Sequence, residues 1–393
     1  MSEPKRTAHL HPSDLHALTR LATDAATGLV DIVEGVHSAI LPPERAGRAG
    51  EITTRTYSAV RGVTRLVGRG AEVTLAQVSE LLGRREDTPQ RRAVLAALNG
   101  LWGDYLDAGD SPLALPMSFD YGPVNDKGRL VVLVHGLCMN GQGWARANGG
   151  GGIHDHGLAL ARDLGYSPVY LTYNSGLHIS TNGRALAMML QALIDAWPRP
   201  VAELTLIGHS MGGLVIRSAV HYGAQAGDSW PERLRALVFL GTPHCGAPLE
   251  QRGNLLNVLM DASPYVAPFG RLGKRRSAGI TDLRYSNLVD EDWYGRDRFA
   301  HGPCDTCIVP LPAGPRAYAV AATLGRRDDS LRDRLLGDGL VPLASALGRH
   351  ADPARALPFD ETNSWIGYGM SHLDLLGRGE VYERLREWLR EMS

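Results

Sequence analysis

The sequence predicts an α/β protein, a mostly parallel central sheet with helices on both faces, preceded by a helical N-terminal segment. Three observations predict it. From about Met117 onward, short apolar runs alternate with helical patterns. Strands that alternate with helices pair in parallel, because each crossover helix returns the chain to the same end of the sheet. The runs carry little polar alternation, as expected of strands covered on both faces. One of them leads directly into a glycine-flanked serine that opens a helix.

Composition narrows the classes. A chain of 393 residues with 44% hydrophobic and 21% charged residues is neither a disordered polymer nor a small stapled scaffold. Lys plus Arg number 41 against 42 Asp plus Glu. That balance lacks the basic excess of a nucleic-acid binder. Four cysteines, Cys138, Cys245, Cys304 and Cys307, are too few and scattered for a disulfide framework. The first residues lack the apolar core of a signal peptide. No run reaches the roughly 18 apolar residues of a membrane span. The expectation is a cytoplasmic protein with no cofactor and no nucleic-acid partner.

In chain order, Ser13 can cap a helix carrying Leu15, Leu18, Ala22, Ala25, Leu29, Ile32, Val36 and Ala39. This spacing holds until Pro42-Pro43 stops it. A second helix is expected over about 54–82 and a third over about 89–105, together an N-terminal bundle over 1–112. The second carries Arg61, Arg65 and Arg69 one turn apart, with no acid across 52–71, and Tyr57, Val60, Val63 and Val67 on another face. A basic amphipathic helix is compatible with peripheral contact to an anionic membrane. Packing within its own bundle is the preferred reading, since most amphipathic helices face a protein core.

The second domain, 113–393, has expected strands at 130–134, 168–172, 204–207, 236–240 and 318–322. Helical patterns lie at 157–164, 183–197, 211–224 and 380–391. The stretch 250–312 is too long for a crossover and reads as an inserted cap. It mixes Leu255, Leu256, Val258, Leu259, Met260, Tyr265, Val266 and Phe269 with Lys274, Arg275 and Arg276. That composition suits either an acyl pocket or a small core of its own.

Gly208-His209-Ser210-Met211-Gly212-Gly213 follows the third strand and opens a helix. A serine nucleophile needs a sharp strand-to-helix turn, and a Cβ two residues before or after it would clash with that turn. Upstream, His135-Gly136-Leu137-Cys138 ends the first strand. A sharp turn there directs the next backbone N–H at a substrate oxygen. Leu137 and Met211 are then the two oxyanion-hole donors.

With Gly241-Thr242-Pro243-His244-Cys245-Gly246-Ala247-Pro248, Asp338-Gly339-Leu340-Val341-Pro342 and His372-Leu373-Asp374 added, the chain resembles the α/β-hydrolase fold serine esterases. The resemblance is closest to the bacterial triacylglycerol-lipase-like branch, with related members similar to GPI inositol-deacylases. It covers 130–374 and leaves the N-terminal hundred residues unaddressed. It implies the chain order Ser, acid, His: Ser210 as nucleophile, Asp338 as acid and His372 as base. Asp328, Asp329 and Asp333 look solvated, as does His350. The activity implied is hydrolysis of a small-molecule or lipid ester. An acyltransferase with the same triad, or a non-catalytic scaffold on the fold, are the alternatives.

Calcium-binding lipases of similar sequence use the Asp two residues after the base as a ligand, helped by a Gln four residues on. Arg378 stands in that place here, so no metal is expected and Asp374 reads as a helix N-cap. Cys304 and Cys307, with His301 nearby, read as a thiol pair or a disulfide rather than a metal site, which needs four ligands. His244 is expected to pack beside the site without taking part in chemistry.

Overall fold

The computed structural model describes residues 89–148, 151–247, 277–297, 306–327 and 337–391. The two earlier N-terminal helices, the basic amphipathic face and most of the expected cap lie outside these residues. The chain divides into two compact units, Met1–Arg92 with Asp110–Leu113, and Ala93–Gly109 with Ala114–Ser393. The first unit is almost wholly outside the described residues. The sequence places the boundary at 112. The division into compact units falls inside helix α1 (Pro89–Ala108), whose Ala97 is buried in the core of the larger unit.

That unit holds a seven-stranded sheet. Its strands are β1 (Ser118–Tyr121), β2 (Arg129–Val134), β3 (Ser167–Thr172), β4 (Glu203–His209), β5 (Leu234–Leu240), β6 (Arg316–Thr323) and β7 (Ser364–Tyr368). They lie in the order β1-β3-β2-β4-β5-β6-β7. Only β1 runs antiparallel, to β3; the other pairs are parallel.

The helices are α2 (His156–Leu164), α3 (Ile179–Ala196), α4 (Met211–Ala226), α5 (Ala278–Tyr285), α6 (Leu343–Ala346) and α7 (Gly379–Arg390). No described helix is long and apolar enough to cross a membrane.

Every residue of β2 is buried, as its unbroken Leu-Val-Val-Leu-Val run requires. Successive side chains of a strand point to opposite faces, so the run feeds two cores. Leu130, Val132 and Val134 pack with Leu186 and Leu190 of α3 and Leu214 of α4. Val131 and Leu133 pack on the other face with Leu160 of α2 and Leu385 and Leu389 of α7. Burying a Val or Leu side chain contributes roughly 1.5–3 kcal/mol, so this double-faced burial dominates the sheet's stability.

Two strands were not legible in the sequence. β1 and β7 form the sheet's edges, β1 mostly exposed and β7 partly buried, so neither carries an apolar run. The register sets the site. Val134 of β2 lies beside Gly208 of β4, and His209 lies beside Leu240 of β5. The loops that follow these three strands therefore emerge together.

Candidate active site

Ser210 sits between β4 and α4 with φ 55 and ψ −124. A non-glycine residue there is strained by about 1–3 kcal/mol and persists only where its surroundings over-determine it. Here its N–H donates to the Leu240 carbonyl at 2.8 Å, and its own carbonyl accepts the Gly213 N–H at 3.1 Å. The glycines are required by contact. A Cβ on Gly208 would lie 2.5 Å from the Gly213 nitrogen, and one on Gly212 would lie 2.2 Å from the Val134 carbonyl oxygen. The half-buried serine is thereby lifted above the end of the sheet.

His372 follows β7, and its Nδ1 lies 2.7 Å from Oδ2 of Asp338. Both side chains are buried, His372 3% and Asp338 2% exposed. The other Asp338 oxygen accepts the N–H groups of Leu340 at 3.0 Å and Val341 at 2.8 Å. The Asp338 main-chain carbonyl also accepts the His372 N–H at 3.1 Å. A carboxylate on Nδ1 keeps the proton there and leaves Nε2 as the acceptor. Among the described residues Nε2 has no hydrogen-bond partner.

The imidazole of His372 lies against Gly241, where a Cβ would stand 3.1 Å from its Cε1 and Nδ1. Gly241 directly follows Leu240, the residue that holds Ser210. The structure thus brings all three sequence-predicted residues to the carboxyl end of the sheet: Ser210 after β4, Asp338 after β6 and His372 after β7.

His209, one residue before Ser210, places Nε2 3.1 Å from the His372 carbonyl, with the two rings 4.6 Å apart. Burial, then the neighbouring His372, holds its pKa well below the ordinary value. It is a neutral donor that fixes the His372 backbone. The motif contained His209, but nothing local signalled this contact.

The upstream turn passes beside the elbow, since a Cβ on Gly136 would lie 3.0 Å from the Ser210 Cβ. Met139 N–H closes the turn on the Gly136 carbonyl at 3.3 Å, with Cys138 in the left-handed region at φ 60. Leu137 N–H makes no hydrogen bond among the described residues. Met211 opens α4, so its N–H has no intrahelical acceptor either. Burial pushes the Cys138 thiol up to about 12, which keeps it protonated and unreactive. His135 stacks on Tyr173 with ring centroids 4.3 Å apart. Burial lowers its pKa to about 4, so it too is neutral.

His350 is exposed and turned to its own loop at Asp352, away from the pair. Asp328, Asp329 and Asp333 lie outside the described residues. His244 is buried against Phe239 and Phe359, with Nδ1 3.5 Å from Arg217 Nη1. Burial and the Arg217 charge hold its pKa well below the ordinary value.

Asp374 is a correction: it does not cap the terminal helix. A short turn and Gly377 intervene, and Arg378 takes the cap position of α7. Asp374 instead folds back, its Oδ2 accepting from the Ser371 N–H and Oγ, both at 2.8 Å, while Oδ1 faces Arg378 Nε at 3.4 Å. Partial burial works to raise its pKa, but the Ser371 hydrogen bonds and Arg378 hold it below the usual carboxylate value. Cys307 is a free thiol whose N–H donates to Asp292; Cys304 and His301 lie outside the described residues. Among the described residues no group of three His, Cys, Asp or Glu side chains could hold a metal ion.

Residues 125–268 match the family model of the PGAP1-like alpha/beta domain. The fold is α/β, a mostly parallel central sheet with helices. The match agrees with the resemblance read from the motifs. Similar solved structures include the mature lipase BlEst2 of Bacillus licheniformis, 17% identical over 69% of this chain and 97% of that one, with a TM-score of 0.42. A lipase-esterase related protein of Clostridium acetobutylicum is 14% identical over 70% and 99%, with a TM-score of 0.38. An esterase of Pyrococcus furiosus is 16% identical over 70% and 91%, with a TM-score of 0.37. No curated protein matches the chain.

Proposed function

We propose that this protein is a serine carboxylester hydrolase of the lipase or esterase type, using Ser210, His372 and Asp338 on a small-molecule or lipid acyl ester. The observation that carries the reading is the buried Asp338–His372 pair, 2.7 Å apart, at the sheet end where the strained Ser210 elbow emerges.

The chemistry follows from the geometry. Ser210 Oγ attacks the acyl carbon and His372 Nε2 takes its proton. Asp338 orients the imidazole and stabilises its charged form. Negative charge developing on the carbonyl oxygen is met by the N–H groups of Leu137 and Met211. Each such donor contributes roughly 10²- to 10³-fold in rate. His372 then protonates the leaving alcohol, and an acyl-enzyme remains on Ser210. Water, deprotonated by the same imidazole, releases the acid. The neutral His135 and His209 place no competing positive charge beside the imidazolium.

Hydrolysis of a chain-length series of esters by the purified protein, beside Ser210→Ala, tests the reading. Turnover by the wild type alone supports it, and no turnover of any ester, with and without detergent, contradicts it. Repeating the assay with added alcohol separates hydrolysis from acyl transfer by product.

A further inference from the structure

Two side chains from one loop, neither marked by any motif, hold the turn that presents Leu137. We propose that Ser175 and Tyr173 are positioning residues that set the Leu137 N–H for the transition state, an assignment that rests on the hydrolase reading above.

The phenol of Tyr173 donates to the His135 carbonyl at 2.8 Å, and its ring stacks on the His135 imidazole. Two residues on, the Ser175 hydroxyl accepts the Cys138 N–H at 3.0 Å. The segment His135-Gly136-Leu137-Cys138 is therefore pinned on both sides of Leu137, and Leu137 N–H is left between the pins. Cys138 is in the left-handed region at φ 60, a conformation that needs such external support. Ser175 and Tyr173 are 1% and 0% exposed, so they act through the turn and not on substrate.

The loop that carries them is itself fixed. Asn174 accepts the Gly176 N–H at 3.1 Å and donates to the Gly103 carbonyl of α1 at 2.9 Å. Asn182 donates to the Asn174 carbonyl at 2.9 Å. Two other segments close on the turn and the loop without room for a methyl group. A Cβ on Gly100 of α1 would lie 2.2 Å from the Cys138 Sγ, and one on Gly279 of α5 would lie 2.1 Å from the Ser175 carbonyl oxygen. The Gly279 N–H donates to the Gly176 carbonyl at 3.1 Å, and the Ser277 hydroxyl donates to the Gly100 carbonyl at 2.6 Å. Such packing leaves the turn one arrangement, as preorganised donors require.

The test compares Ser175→Ala, Tyr173→Phe and Ser175→Thr with wild type on a p-nitrophenyl ester, with melting temperature and the rate of fluorophosphonate labelling read in parallel. Loss of a transition-state donor lowers kcat and leaves KM nearly unchanged. The expected result is a fall in kcat of about 10- to 100-fold for Ser175→Ala. Tyr173→Phe is expected to fall less, labelling to slow in step, and Ser175→Thr, which keeps the acceptor, to recover activity. If Ser175→Ala does not fold, Tyr173→Phe still reads the same turn. A kcat within twofold of wild type in the folded variants overturns the positioning role and leaves the hydrolase reading standing. A wild type that neither turns over nor labels overturns that reading and this one with it.

Discussion

Asp338 grips His372 twice, its Oδ2 2.7 Å from Nδ1 and its main-chain carbonyl 3.1 Å from the His372 nitrogen. Asp338→Asn keeps the shape but offers a donor where an acceptor is needed, which turns the imidazole to the wrong tautomer. The expected cost is about 10³- to 10⁴-fold in kcat with the fold intact. Steady-state kinetics beside circular dichroism checks this; a loss under tenfold would mean that Asp338 does not serve His372.

The elbow glycines make a steric prediction. A methyl group on Gly212 would stand 2.2 Å from the Val134 carbonyl oxygen, which is backbone and cannot swing aside. Gly212→Ala is expected to cost about 1–3 kcal/mol, seen as a lower denaturant midpoint, and to remove labelling of Ser210. An unchanged midpoint would show that the turn is looser than its contacts indicate.

How much of this was readable in advance depends on the range of the contact. Gly208, Ser210 and Gly212 were legible because their constraint is local, a turn too tight for a Cβ. Asp338 and His372 were legible through their motifs and chain order, and the structure brings them together. The hydrogen bond from His209 to the His372 carbonyl spans 163 positions, and Ser175 reaches Cys138 across 37. No periodicity records such pairs, because tertiary packing alone selects them. Asp374 was misread for the opposite reason. A helix signal lay close by, but the preceding serine captured the carboxylate first.

Acid should destabilise the fold. Burial holds His135 and His156 at about 4, below the roughly 6.5 of an unfolded histidine. The unfolded chain therefore binds more protons between these values, and stability is full above about 6.5 and lost as pH falls toward 4. Melting temperatures from pH 7 to pH 4 should fall across that window. A flat profile would contradict the neutral, buried assignment of both imidazoles.

Chelation should do little. The carboxylate of Asp374 is engaged by Ser371 and Arg378, which removes the oxygens a calcium ion would need. Dialysis against a chelator is expected to leave melting temperature and ester turnover unchanged, and a fall restored by added calcium would reverse that assignment.

The central claim is that Ser210 is an activated nucleophile. Fluorophosphonate treatment of the purified protein followed by peptide mass mapping tests it most directly. The account predicts one adduct, on the peptide carrying Ser210, absent from Ser210→Ala and strongly slowed in Asp338→Asn. An adduct on another residue, or none on folded wild type with detergent present, would contradict it.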